Sequence, residues 1–388
     1  MRRVYLDNNA TTPVLPEVFE AMKPFYLEGF GNASSIHHYG QHARAAVEKA
    51  RAAVAALLNC RPAEVVFTSG GTEGDNTAIF GLVSKGDHII TSTIEHSAVL
   101  NTCKRAEQMG CEVTLVPVNG RCEIDPDDIR KALRPNTRLI TVMMANNETG
   151  VLQPVEEIGR IAREADVFFH TDAVQAAGKV PIDADKIGCD VLSISGHKIH
   201  APQGTGAMYI RKGTLIQPLI YGGSHERQRR AGTENLPGIV GLGKAAELAA
   251  EWLKGGGPAE MAAMRDRLQN EVLAEVEAVG VNGAGAPRVP NTTNLWFDYI
   301  EGEALVIALD LKGLAVSSGA ACSSGAIEPS HVLLAMGLAH ERARSSVRIS
   351  LGKQTTQEDI DFAIQVIPET IGRLREISPL YHKQNAVR

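Results

Sequence analysis

Short apolar runs alternate with helical spacers through the first 250 residues. The runs are EVVFT (64–68), DHIITST (87–93), EVTLVPV (112–118), RLITVMM (138–144), DVFFHT (166–171), DVLSIS (190–195) and GAMYI (206–210). Several are continuously apolar rather than alternating, as expected of parallel strands covered on both faces. The helical spacing is clearest at 41–58 (QHARAAVEKARAAVAALL), where Val47, Ala50, Val54, Leu57 and Leu58 share one face. This pattern predicts a doubly wound, mostly parallel α/β sheet of about seven strands. The last two runs lie too close together for a helical crossover, so one strand is expected to be antiparallel.

The pattern changes after a helix ending near Lys254. GGGP (255–258) reads as a linker, and a long amphipathic helix follows with Met261, Met264, Leu268, Val272 and Val276 on its apolar face. Strand-like TTNLWF and SVRIS come next. A final helix starts at Gln357, opened by a Thr356–Asp359 capping box and kinked at Pro368. The expected division is a large α/β domain over 13–254 and a smaller α+β domain from 1–12 with 255–388. The smaller one carries a loop of small residues, SSGAACSSGA, at 317–326.

Composition narrows the class. The chain has 388 residues, 44% hydrophobic and 22% charged, with net charge −6. This is an ordinary globular balance without a Lys/Arg stripe, so nucleic acid and anionic membrane are not the expected partners. No apolar run is long enough to span a bilayer. Arg2 and Arg3 precede YLDNNATTP rather than an apolar stretch, so no secretory signal is read and the expected compartment is the cytoplasm. The sequons at Asn32, Asn147 and Asn291 then carry no glycosylation message. Six cysteines, at 60, 103, 111, 122, 189 and 322, form no C-x-x-C pair. Neither a disulfide framework nor a structural zinc site is expected, and at least five of the six thiols read as small core hydrophobes.

In open α/β sheets ligands bind at the carboxyl ends of the strands. The residues just past each run are Gly70-Gly71-Thr72, His96, Asn146-Asn147, Asp172 with Gln175, and Ser195-Gly196-His197-Lys198. TSGGTEGDN offers helix-start N–H groups and the Thr72 hydroxyl to a phosphate, yet it is neither a Walker A loop nor a G-x-G-x-x-G fingerprint. Asp172 alone reads equally as a helix cap, and His170 as a satisfied core residue. Lys198 has less excuse, because a solvated lysine needs no buried strand and glycine to deliver it. There its amine is desolvated, near other cations and nucleophilic. A metal held by His197 and His200 is the rival, without the ligand spacing that would support it. Together, a phosphate cradle, an Asp after one strand and a Lys after the next are the protein groups pyridoxal 5′-phosphate requires.

The chain resembles the cysteine desulfurases of the NifS/IscS class, within the class V aminotransferases of pyridoxal-phosphate fold type I. The resemblance rests on YLDNNATTP (5–13), FTSGGTEGDN (67–76), EHSAV (95–99), NNETG (146–150), HTDAVQAAGK (170–179), SGHKIHAPQGTGA (195–207), RAGTEN (230–235), SSGAACSSG (317–325) and SSVRISLG (345–352). It implies that Lys198 carries the cofactor as a Schiff base, that Asp172 pairs with the ring nitrogen, and that Gln175 bonds the phenolic oxygen. It further implies that His96 stacks on the ring and serves as acid/base. Gly71, Thr72, Ser195 and His197 hold the phosphate, with Thr233 reaching in from the neighbouring subunit of a homodimer. Asn147 and Arg348 hold the substrate carboxylate; His200 is structural or backs the residues that touch the cofactor. Cys322 takes sulfur from L-cysteine as a persulfide, leaving L-alanine, and delivers it to an acceptor or iron–sulfur scaffold protein. No metal is required, although Cys322 is a candidate transient cluster ligand. A selenocysteine lyase or aminotransferase of the same class is the alternative, as is a catalytically silent scaffold. Gly74 stands where relatives commonly have Ser, and Gln203 where many have Lys.

Overall fold

The computed structural model describes residues 2–318, 329–379 and 381. A two-residue strand, β1 (Val4–Tyr5), opens the fold. Seven strands then build the large sheet: β2 (Val65–Thr68), β3 (His88–Ser92), β4 (Glu112–Val116), β5 (Thr137–Thr141), β6 (Phe168–Asp172), β7 (Val191–Ser195) and β8 (Gly206–Ile210). They lie in the order β2-β8-β7-β6-β5-β3-β4. The five neighbours from β7 to β4 run parallel, and β8 is antiparallel to both β2 and β7.

Alternate residues of these strands feed two apolar clusters. Val65, Phe67, Ile90, Ile140 and Leu192 pack into one, and Val66, Ile89, Leu139, Val191 and Met208 into the other. Coverage on both faces is why the runs are continuously apolar. Strand limits are tighter than the runs suggest. β4 stops before Pro117, which has no N–H for the ladder, and β6 starts beyond Asp166, whose φ of +55° is not extended backbone. The helix expected at 41–58 spans His38–Leu57, with Val47, Ala50, Val54 and Leu57 buried in the first cluster and Leu58 just past its end.

GGGP is only half a linker. Gly257 and Pro258 open the helix Gly257–Glu275, leaving Gly255 and Gly256 (φ +88°) as the joint. That helix buries Met261, Leu268 and Val272 and half-buries Met264, with Val276 buried at its end. Beyond it come β9 (Val279–Val281), β10 (Thr292–Phe297), β11 (Leu314–Ala315), β12 (Ser317–Ser318) and β13 (Ser346–Ser350). Four of them form an antiparallel sheet in the order β12-β13-β10-β9. β11 pairs in parallel with β1, so Val4 and Leu6 join the apolar cluster of Leu268, Leu295, Val347 and Ile360. The last helix, Gln357–Glu376, carries the capping box at Thr356 and Asp359 and runs across Pro368.

Ser317 and Ser318 are strand rather than loop. The remainder of the small-residue segment, with Cys322, lies outside the described residues. Among the described residues no helix is long and apolar enough to cross a membrane. Burial pushes the thiols of Cys60, Cys103 and Cys122 up to about 12, and that of Cys189 higher still, so they are poor nucleophiles at neutral pH.

Candidate active site

The loops after β2, β3, β5, β6 and β7 converge on a cavity of about 300 Å³. Gly71, Thr72, His96, Asn147, Asp172, Gln175, Ser195, His197 and Lys198 all line it, joined by Arg348 from β13. Thr233 does not line it and is exposed.

Helix Gly71–Leu82 begins at the cavity, so its first-turn N–H groups are available to an anion. A Cβ on Gly71 would sit 2.6 Å from Val174 Cγ2, so glycine lets this turn close on the loop after β6. At Gly74 a Cβ would meet Ser193 Oγ at 2.7 Å. Ser193 therefore occupies the space a serine at 74 would need, and its hydroxyl pairs with His170 Nε2 at 3.0 Å. His170 also meets Thr141 Oγ1 at 2.8 Å, and burial lowers its pKa to about 3. It is the satisfied core histidine its place in the strand predicts.

Asp172 ends β6 and is buried, with Oδ1 accepting from Val174 N at 2.9 Å. Burial raises its pKa, against the opposing charges of His96 and Lys198. His96 precedes helix Ser97–Gln108, and its Nδ1 accepts from Ala98 N at 3.1 Å. The neutral ring therefore carries its proton on Nε2. Burial, then Lys198 and His331, lower its pKa, while Asp172 opposes. His197 is lowered to about 4 by burial and then by Lys198; its Nδ1 lies 3.1 Å from Thr11 Oγ1. His200 turns elsewhere, to Pro13 O at 2.9 Å and Lys353 N at 3.5 Å. The two histidines thus share no ligand position, and among the described residues no group of three or more His, Cys, Asp or Glu could hold a metal.

Lys198 is delivered by the turn Gly196–Lys198 directly after β7. It is half-buried rather than sealed, and Nζ donates to Asn9 O and Ala10 O, each at 2.7 Å. Arg348 is not a surface ion pair: its side chain is 3% exposed. Nη2 donates to Asp7 Oδ1 at 2.8 Å and Nη1 to Asn147 O at 3.1 Å, while Nε has no partner among the described residues.

Sequence reasoning missed the wall built by residues 7–10. Asn9 Nδ2 donates to Thr292 Oγ1 at 2.9 Å and Asn147 O at 3.1 Å, and Gln175 Nε2 donates to Asn9 O at 3.0 Å. It also missed Lys179, whose buried Nζ donates to Gln175 Oε1 at 2.6 Å and Asn9 Oδ1 at 3.1 Å. The one available signal was the DNNATT stretch, polar and without helical or strand period.

Residues 4–362 match the family model described as Aminotransferase class-V. Cysteine desulfurase IscS of Dictyoglomus turgidum (strain DSM 6724 / Z-1310) is 50% identical over 383 residues, covering 97% of each chain. A solved NifS-like protein superposes with a TM-score of 0.89 at 38% identity, covering 96% of this chain and 100% of the other. SspA, solved in complex with cysteine, gives 0.80 at 39% identity over 89% of this chain and 98% of its own. The chain belongs to the aminotransferase class-V family, in its NifS/IscS branch of cysteine desulfurases, a family that works with pyridoxal 5′-phosphate.

Proposed function

We propose that this chain, as a homodimer in the cytoplasm, uses pyridoxal 5′-phosphate to convert L-cysteine to L-alanine, collecting the sulfur as a persulfide on Cys322. The observation that carries this reading is the single cavity lined by Lys198, Asp172, His96, Thr72 and Arg348, which come from five separate segments. The donor set fits the cofactor group by group. The Gly71 helix start and Thr72, Ser195 and His197 suit the phosphate. Buried Asp172, which no arginine pairs with among the described residues, suits a cationic ring nitrogen, and Lys198 suits the aldehyde. The Nε–H of buried Arg348, without a partner among the described residues, suits the carboxylate of an amino-acid substrate.

Bound there, the cofactor supplies a carbonyl that captures amines and a ring that withdraws electrons from the substrate's α-carbon. Asp172 would hold the ring nitrogen's proton in place. Lys198 would take the substrate's α-proton, and His96 would shuttle protons beside it. Arg348 and Asn147 fix the carboxylate. Cys322 thiolate attacks the substrate sulfur; its new S–S bond forms as the C–S bond breaks, and the carbon left behind is reprotonated to L-alanine. A sulfur-acceptor or iron–sulfur scaffold protein would then discharge Cys322. Exposed Phe19, Tyr26, Leu27 and Phe30, on and beside the helices Pro16–Met22 and Pro24–Leu27, support association of two copies, which would bring Thr233 to the partner's phosphate.

The test is L-alanine released from L-cysteine with a reductant present, comparing wild type with Cys322→Ala. Alanine from wild type and almost none from the variant supports the reading. Equal rates would move the function to a lyase that does not use the thiol, and alanine from neither would remove cysteine as substrate.

A further inference from the structure

Lys179 is a lysine that the proposed chemistry does not use, yet it is 7% exposed beside the cavity. Burying an amine is costly unless its N–H groups are used. Here they donate to Gln175 Oε1 at 2.6 Å and Asn9 Oδ1 at 3.1 Å. The direction of both contacts is fixed by main-chain carbonyls, which can only accept. Gln175 Nε2 donates to Asn9 O, and Asn9 Nδ2 donates to Asn147 O, so each amide must turn its oxygen the other way. Asn9 Oδ1 has a second donor in Asn291 Nδ2 at 3.0 Å, whereas Lys179 is the donor that meets Gln175 Oε1.

The same Asn9 carbonyl accepts from Lys198 Nζ at 2.7 Å, so the Gln175 amide and the Lys198 amine are neighbours on one acceptor. Without Lys179 the Gln175 amide keeps one anchor at its nitrogen, the Asn9 carbonyl it shares with Lys198, and its oxygen end is free to swing. We propose that Lys179 is a positioning residue: it holds the Gln175 amide with its NH₂ edge turned toward Lys198 and the bound cofactor's phenolic oxygen. This rests on the pyridoxal-phosphate reading of the cavity.

The charges around it give the proposal a readout. Lys198 and Arg348 face Lys179 and, after burial, are what hold its amine well below the usual lysine range. Burial, then Lys353 and Lys179, lower His200, and Asp172 and His96 interact with the charge of Lys198. Removing Lys179 would loosen an N–H aimed at the phenolic oxygen, and an oxygen that loses a donor holds a shared proton more tightly.

The experiment uses purified protein loaded with pyridoxal 5′-phosphate, comparing wild type with Lys179→Met, Gln175→Met and the double variant. The pH midpoint of the visible absorption change should rise by about one unit in Lys179→Met. Turnover of L-cysteine should fall about tenfold while KM moves less than about threefold. Lys179→Met should add a smaller shift in the Gln175→Met background than alone, because the two act as one unit. Lys179→Gln keeps a side-chain donor and should give a smaller shift of the same sign; it carries the test by itself if methionine prevents folding. A lowered melting temperature with the wild-type midpoint and turnover would overturn the proposal, leaving Lys179 a structural residue. Wild type that takes up no cofactor would instead overturn the reading beneath it.

Discussion

Two sets of buried carboxylates occupy the large-sheet half of this protein, and they are treated in opposite ways. On the flank of β2, Glu226 accepts from both Arg51 guanidinium nitrogens, at 2.7 and 2.8 Å, and from Phe67 N at 2.9 Å. Glu73 pairs with Arg230 at 3.0 Å and accepts from Ser69 N at 2.8 Å. Glu64 meets Arg61 at 2.6 Å and Lys212 N at 2.9 Å. Burial works against the ionised forms of Glu73 and Glu64, yet these bonds win: both pKa values are lowered, that of Glu64 to about 2. Around the cavity the balance reverses. Burial raises Asp172, Asp75 and Glu95, the last to about 8, and no arginine pairs with any of them among the described residues. Partnered acids serve the fold; the cavity acids wait for a cation or keep a proton.

The cost of the first arrangement is visible in the backbone. Glu226, Arg227 and Gln228 all take positive φ, at +45°, +58° and +66°, a conformation kept by non-glycine residues only when their contacts over-determine it. The bidentate Glu226–Arg51 pair is that contact.

The sharpest way to break the contrast is Asp172→Ala. Desulfuration should fall by about 10³-fold or more, as expected when a charge matched to the reacting centre is removed. The cofactor-free protein should melt no lower than wild type, because a buried carboxylate without a cation costs stability. Alanine release and calorimetry of the same preparations check both halves. Glu226→Ala should do the reverse: urea unfolding of the cofactor-free chain should lose about 3 kcal/mol by leaving buried Arg51 only Glu48 and Val65 O as hydrogen-bond partners among the described residues, while the cavity residues stay in place. An unchanged unfolding midpoint would remove the distinction between the two sets.

The smallest effect is a pH slope. A carboxyl raised on folding binds its proton more tightly in the native state, so Glu95 makes stability fall as pH rises from about 4.5 towards 8. Glu64, lowered on folding, contributes stability that is present above its ordinary value and lost as pH falls towards 2. Glu95→Gln should flatten the cofactor-free stability curve between pH 5 and 8 by on the order of 1 kcal/mol per pH unit, leaving the acid limb unchanged. A curve parallel to wild type would show that Glu95 does not titrate there.

The sheet was legible because parallel strands covered on both faces write uninterrupted apolar runs, and Lys198, Asp172 and His96 were legible because each lies within three residues of the end of one. Asp7, Asn9 and Ala10 were not. They belong to no periodic segment, and their partners Arg348, Thr292 and Lys198 are far away in sequence. Lys179 looks like any loop lysine until packing buries it. GGGP misled because proline in the first turn of a helix is a start signal as well as a break.

The link between the two ends of the chain also bears on timing. Asp7 is separated from Arg348 by 341 residues, and Val4 pairs with Leu314. At ribosomal rates of about 5–20 residues per second, the first segment waits roughly 20–70 s for its partner to emerge. A nascent chain that has completed β8 already carries Lys198 and Asp172, but not the guanidinium that would hold an amino acid's carboxylate. Sulfur would therefore be mobilised only by a chain elongated past Arg348.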